Sequence, residues 1–363
     1  MTLNGDLAAV SLWAKKWLVT FNPEKTKSLY ISFRRPTYIP PIYFDGTTIE
    51  EVKEHKHLGI VLSHDLSWKG HIDMICPKAT KRLDMLHSFK YKLSRRALEV
   101  VYFSFVRPIL EYGDVLYDGC GITNEIKLNR VQYQATKIVS GALHGTSYDA
   151  LLEELGWESL SKRRERHKLC RFYRLLNDEC PEHLLDILPT CEPHEYNMRS
   201  LTFPSIPCRT DKLFNSFIPS CVRLWNSLHE GTKSSSTLYS FKKDLMNDLP
   251  PKVKHYYYGP RNSNILLSRL RLNHSTLNAH LYRINVIDSP KCICGAAEET
   301  AYHFFFICPL YANERRNLER SVLEFAPFNL STVLYGNNLC SLHENEKLVS
   351  CVHEYIEKTK RFV

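Results

Sequence analysis

Apolar residues recur every three or four positions over 6–19, where Leu7, Val10, Leu12, Trp13, Trp17 and Leu18 surround Lys15 and Lys16, the pattern of an amphipathic helix. Asn22-Pro23 ends it, because proline has no amide proton to carry a helix onward. The period then shortens to two. Ser28-Leu29-Tyr30-Ile31-Ser32-Phe33 alternates as a half-buried strand does, and residues 42–49 predict a hairpin with Asp45-Gly46 at the turn. His57-Leu58-Gly59-Ile60-Val61-Leu62 predicts one more strand, so the first 66 residues predict a helix and a small antiparallel sheet.

From Ser67, which can cap a helix, long helical periods follow over 68–90, 94–111, 124–141 and 158–178, separated by Gly113, Gly119, Gly141 and Gly156. Pro189, Pro193, Pro204, Pro207 and Pro219 then predict an irregular connector. Shorter helices are expected over 217–229 and 237–248, before a break at Pro250-Pro251. A helix-like segment near 263–283, a cysteine cluster and a closing helix with Leu348, Val352 and Ile356 on one face complete the chain. The fold class is α+β and mostly α, divided at 1–66, 67–186, 187–255, 256–320 and 321–363.

Composition narrows this picture. The 363 residues are 44% hydrophobic and 24% charged, the balance of a folded protein, and the length suffices for two or three domains. No apolar run approaches the roughly 20 residues of a membrane helix and the opening residues are polar, so the expectation is an intracellular protein, neither secreted nor membrane-bound. Twelve cysteines in a reducing compartment point to metal ligands or buried thiols. Cys76, Cys120, Cys170 and Cys221 stand alone and read as small core residues.

Cys292, Cys294, His303 and Cys308 form a C-x-C-x8-H-x4-C arrangement, a donor set suited to tetrahedral zinc with no position left for a substrate water. Such a site is structural. Gly295 permits a tight turn behind the second ligand, and Pro309 stiffens the exit. The alternative is a free-thiol hairpin beside a surface histidine, since the usual C-x2-C spacing is shortened. Cys340, His343, Cys351 and His353 follow no ligand spacing and are read as structural.

The net charge of +9 favours an anionic partner. Lys78, Lys81, Arg82, Lys90, Lys92, Arg95 and Arg96 form one basic group. Lys162, Arg163, Arg164, Arg166, Lys168, Arg171 and Arg174 form another. With Tyr91, Tyr102, Phe172 and Tyr173 between them, these residues suit a groove that holds a phosphate backbone with little base selectivity. The alternative is a solvated helix face. No phosphate-binding glycine loop, nucleophile elbow or His-Glu-x-x-His helix occurs, and no two aspartates are adjacent. No catalytic residues are assigned.

Asp6-Leu7 through Trp13 and Trp17, Phe21-Asn22-Pro23-Glu24-Lys25-Thr26, Leu58-Gly59-Ile60, Leu66-Ser67-Trp68 and His71-Ile72 resemble the end of the palm and start of the thumb in reverse transcriptases of non-long-terminal-repeat retrotransposons, the jockey-like LINE elements. Arg107-Pro108-Ile109-Leu110-Glu111-Tyr112-Gly113 is similar to their thumb helix exit. Arg209-Thr210, Ser216-Phe217 and Leu224-Trp225-Asn226-Ser227-Leu228 resemble the segment that follows. The run 270–278, Cys292-Ile293-Cys294-Gly295, Glu299-Thr300, His303 and Cys308-Pro309 resemble their zinc-knuckle end.

The resemblance implies a palm remnant (1–66), helical thumb (67–186), connector (187–255), CCHC zinc-knuckle region (256–320) and helical tail (321–363). It places Asn22 and Lys25, with Thr26, beside an incoming nucleotide, and Leu58, Gly59 and Ile60 in a primer-grip hairpin. His57 departs from the aromatic residue usual there. The implied partners are RNA and DNA, as template–primer duplex and element RNA, together with the N-terminal polymerase and endonuclease regions of a longer enzyme. The implied compartments are nucleus and cytoplasm. The Tyr-x-Asp-Asp turn of the family would lie before Met1, so zinc is the expected resident metal, and magnesium belongs only to a full-length parent. The chain alone is expected not to polymerise. The rival expectations are a domesticated zinc-binding interaction scaffold without a nucleic-acid role, and an enzyme completed by a second chain.

Overall fold

A computed structural model describes residues 3–22, 25–32, 38, 40–177, 181, 184, 188, 202–247 and 253–362. Helix α1 (Leu3–Lys16) follows the predicted period, yet Ala14 is its one buried side chain among the described residues. Leu12 and Trp13 are 70% and 52% exposed, so much of its apolar surface stays uncovered, although Asn4 accepts from the Tyr43 amide and Ser11 donates to Asp45 in the segment that follows.

Six short strands follow among the described residues: β1 (Lys27–Ser28), β2 (Tyr43–Phe44), β3 (Thr47–Thr48), β4 (Glu50–Glu51), β5 (Glu54–His57) and β6 (Ile60–Ser63). Three separate two-stranded ladders replace the expected single antiparallel sheet, and β1 pairs with β4 in parallel. The residues available to β1 and β4 are largely charged, and Lys27 Nζ meets Glu50 Oε2 at 2.5 Å, so no continuous apolar face draws the ladders together. The run expected from Ser28 onward pairs only at Lys27–Ser28, and Phe33 lies outside the described residues. Asp45 and Gly46 (φ +48° and +79°) do form the predicted turn between β2 and β3.

The strand expected over 57–62 is instead a hairpin. Leu58 and Gly59 both have positive φ (+45° and +85°), the geometry of a two-residue turn whose twist matches its strands, and His57 pairs with Ile60 across it.

Helices then dominate: α2 (Lys69–Ser88), α3 (Arg95–Val101), a π-helical turn at Tyr102–Val106, α4 (Arg107–Glu111), α5 (Asp114–Tyr117), α6 (Ile122–Ser140) and α7 (Tyr148–Leu155). Trp68, not Ser67, occupies the N-cap of α2, with no side-chain capping bond, and the Ser67 amide donates to Asp65. Ile72, Ala79, Leu98, Tyr102, Leu128 and Ala135 build one core, in which the Tyr102 and Trp157 rings stack at 4.6 Å.

Helix α8 (Leu160–Leu176), capped by Ser159, carries Phe172 into a second core with Trp225 and Phe241. α10 (Phe217–Asn226) and α12 (Leu238–Asp244) supply that core, and the short helices α9 (Asp211–Phe214) and α11 (Glu230–Lys233) precede each of them. Much of the proline-rich stretch lies outside the described residues.

The third core joins α13 (Arg261–Arg271), Leu277 just before α14 (Asn278–Arg283), α15 (Ala312–Leu323), α16 (Leu330–Tyr335) and α17 (Leu342–Lys358) around Phe304, Phe305, Leu348 and Val352. The single helix expected near 263–283 is two. Asn273 takes a left-handed conformation (φ +52°) between them, which asparagine tolerates better than most residues. A capping box of Ser341 and Glu344 starts α17. No helix of the described residues is long and apolar enough to cross a membrane.

His353 on α17 is buried against Gly259, and neither ring nitrogen has a hydrogen-bond partner. Burial, with a lesser push from Arg271, lowers its pKa to about 4. An unfolded histidine near 6.5 binds a proton first, so stability is intact above pH 6.5 and falls as the pH drops towards about 4. The expected loss is about 3 kcal/mol over that window. Unfolding titrations of the wild type and His353→Leu should show a shallower acid limb in the variant; identical limbs would refute the assignment.

Candidate functional site

The Cys/His cluster is assembled by a tight hairpin and a π-helical turn. Lys291 bridges Glu298 in antiparallel fashion, and the Cys292 amide donates to the Ala297 carbonyl at 2.9 Å. Gly295 (φ +75°) closes the turn by donating its N–H to the Cys292 carbonyl, which brings the Cys292 and Cys294 thiols to the same side. The Thr300 hydroxyl accepts from the His303 amide and starts the π turn at His303–Ile307. A π turn widens the helix by one residue, and here the Cys308 amide returns to the His303 carbonyl at 2.8 Å.

The four donor atoms of Cys292, Cys294, His303 and Cys308 lie within 4.8 Å of one another. Cys292 Sγ is 3.8 Å from Cys308 Sγ, and Cys294 Sγ is 3.3 Å from His303 Nε2. A tetrahedral zinc with bonds of about 2.3 Å to sulfur sets sulfur edges of about 3.8 Å, so the donor set fits such an ion. Burial pushes the Cys292 thiol up to about 12 and raises Cys308, whereas the Ala296 amide lowers Cys294. A cation at the centre reverses the first two effects, because it stabilises thiolates that burial disfavours. His303 Nδ1 is buried without a hydrogen-bond partner.

Glu299 borders the cluster: its Oε1 accepts from the Cys292 thiol at 3.9 Å, and both its oxygens accept from Arg361. Spacing gave no sign of Arg361, which lies far along the chain. Cys340 donates to the Phe325 carbonyl, and Cys340, His343, Cys351 and His353 join no metal-ligating group among the described residues.

The other candidate residues lie elsewhere. Leu58 and Gly59 form the tip of the β5–β6 hairpin, with Leu58 77% exposed and Ile60 buried. Tyr112 donates its hydroxyl to the Leu58 carbonyl at 2.7 Å and packs beneath Gly59, docking the tip on the helical region. Asn22 and Lys25 are exposed, and Asn22 Oδ1 accepts from the Lys25 amide.

The first basic group divides. Lys78, Lys81 and Arg82 share the solvent face of α2 at helical spacing, and Lys92 and Arg96 are also exposed. Lys90 is half-buried over the Tyr91 ring, and Arg95 is buried against Glu154 at 2.8 Å.

The second group departs from the open groove the sequence suggests, and only Lys162 and Arg171 of it are exposed. Arg163 pairs with Glu111, Arg166 with Glu158 at 2.6 Å, and Arg164 with Asp118 and Glu125 at 3.0 and 3.1 Å. Lys168 is buried between Asp118 and Ser220, at 2.6 and 2.7 Å. Acidic partners distant in sequence take up these charges, so Arg163, Arg164, Arg166 and Lys168 tie α8 to its neighbours.

The relatives of this chain are RNA-directed DNA polymerases of non-LTR retrotransposons, at low identity. It is 31% identical over 142 residues to the RNA-directed DNA polymerase from mobile element jockey of Drosophila melanogaster, covering 38% of this chain and 15% of that protein. It is 22% identical over 316 residues to the Pol polyprotein from type-1 retrotransposable element R1 of Bradysia coprophila, covering 84% of this chain and 29% of that protein. The probable RNA-directed DNA polymerase from transposon BS of Drosophila melanogaster is 22% identical over 165 residues, 44% of this chain and 18% of its own length. The chain thus spans less than a third of the length of these relatives. No family model matches it, and no solved structure does.

Proposed function

We propose that the chain is the C-terminal part of a retrotransposon RNA-directed DNA polymerase, and that it grips template–primer nucleic acid and element RNA. The match across 84% of the chain to the R1 polyprotein carries this reading. Residues 1–66 serve as a palm remnant and 67–186 as the thumb. Residues 187–255 connect these to a zinc-binding region, 256–320, and to the tail, 321–363. The exposed apolar face of α1 supports the first assignment, since a palm separated from its companion regions leaves such a face uncovered. On this reading the chain works in nucleus and cytoplasm and does not polymerise alone, because two-metal transfer needs paired carboxylates it does not carry. Cys292, Cys294, His303 and Cys308 hold zinc, which braces the fold without taking part in chemistry.

The expected binding is tolerant of sequence and steeply dependent on salt. Replacing Lys78, Lys81 and Arg82 together by alanine should weaken it and reduce the log–log salt slope by about 3. Filter binding of a template–primer duplex across a salt series measures this. Binding that ignores salt would overturn the proposal. The second reading, a zinc-binding interaction scaffold without a nucleic-acid role, draws on the internal pairing of Arg163, Arg164, Arg166 and Lys168. It requires the wild type to bind no nucleic acid at low salt.

A further inference from the structure

We infer that Glu299 and Arg361 are positioning residues of the Cys/His centre, so that metal retention depends on docking of the segment after α17. This rests on the metal reading proposed above. Glu299 is almost fully buried, and Arg361 Nε and one terminal nitrogen each reach a different oxygen of its carboxylate at 2.5 Å. The first oxygen also faces the Cys292 thiol, and the second accepts the Asn278 amide at 2.8 Å. Arg361 further donates to the Thr276 carbonyl at 3.0 Å and to Asn278 Oδ1 at 3.4 Å. Asn278 in turn donates from Nδ2 to the Lys291 carbonyl at 2.7 Å. The guanidinium therefore clasps both sides of the hairpin that presents Cys292 and Cys294. Phe362 packs edge-on against Phe304, inside the π turn between His303 and Cys308, and holds the same segment from the other side.

The electrostatics give this clasp a role beyond packing. The Glu299 oxygen that Arg361 Nε holds lies 3.9 Å from Cys292 Sγ. A Cys3His zinc centre holds three thiolates against a divalent ion, so a carboxylate at that position adds negative charge to a site that already carries an excess of it. Arg361, bonded to both carboxylate oxygens, offsets that added charge. Removing Arg361 should therefore harm metal binding more than neutralising Glu299 does. Removing both charges should restore part of the loss, which a purely mechanical clasp would not do.

The test measures zinc affinity of the full chain by chelator competition, with cobalt absorption as a second readout of the thiolate ligands. Arg361→Ala should weaken zinc by about tenfold, the ordinary effect of losing an outer support. Arg361→Ala with Glu299→Gln should bind more tightly than Arg361→Ala alone. Lys358→Ala, which breaks an exposed pair with Glu354 one turn earlier, should bind like the wild type. By reciprocity zinc should slow hydrogen exchange across residues 359–362 in the wild type and do so less in Arg361→Lys, which keeps the charge but not the fork. Unchanged affinity in Arg361→Ala, or a double variant no better than the single one, would overturn the inference while the metal reading stands. A wild type that binds no zinc would overturn both.

Discussion

Replacing Cys308 by serine, or stripping the metal with a chelator, is expected to destabilise the C-terminal core by more than about 4 kcal/mol, the range reserved for loss of a structural metal or an equally severe defect. Cys308 is fully buried, and Phe304 and Phe305, in the turn between His303 and Cys308, are fully buried too. Phe304 packs against Tyr311, Tyr355 and Phe362, and the Tyr355 hydroxyl donates to its carbonyl at 2.6 Å. The ligands and the core are thus interleaved residue by residue. On the proposed zinc reading, loss of the ion would leave two buried thiols and a hairpin held by few backbone bonds, and would release the turn on which the aromatic residues sit. Calorimetry of metal-loaded, chelated and Cys308→Ser protein decides the matter. A metal-free protein with unaltered melting, or a serine variant losing only about 1 kcal/mol as a near-isosteric core change would, would refute a structural metal.

The clustering of Cys292, Cys294, His303 and Cys308 was legible in the sequence because the four residues lie within one short stretch, where spacing alone restricts geometry. The Asp45-Gly46 turn was legible for the same reason, since its backbone requirement is written in two adjacent residues. Periodicity missed the Leu58-Gly59 turn, because a leucine rarely takes positive φ and the run around it has the composition of a strand; only the resemblance implied a hairpin there. The basic residues of α2 keep the solvent exposure their spacing suggests. Those of α8 do not: Arg164 and Lys168 stand one helical turn apart on its buried side, and they meet Asp118, some fifty residues earlier. A one-dimensional pattern records the charge of a residue and its local face. It does not record which distant carboxylate the fold delivers to it.

Glu154 is the strongest example, and Glu154→Ala is expected to cost about 3–5 kcal/mol, the range for breaking a buried ion pair from one side. Its side chain is 5% exposed at the junction of the first and third cores. Arg95 on α3 reaches it at 2.8 Å, Arg271 on α13 reaches both oxygens at 2.6 and 2.9 Å, and the Ser268 hydroxyl adds a bond at 2.9 Å. Burial by itself would raise the carboxyl, but the Arg271 and Arg95 guanidiniums outweigh it and hold the pKa below the ordinary value. Alanine removes the carboxylate that both guanidiniums share. Arg95 retains Glu99 at 3.7 Å, while Arg271, 2% exposed at its side chain, keeps no carboxylate and only the Tyr256 ring and the Leu334 carbonyl. The damage should therefore fall on α13 and its contact with α7. Hydrogen exchange should rise there before it rises in α2 or α6. Glu154→Gln keeps acceptor and shape but not charge and should lie between the two proteins. An alanine variant within 1 kcal/mol of the wild type by denaturant unfolding would mean that this buried network does not hold the two cores together.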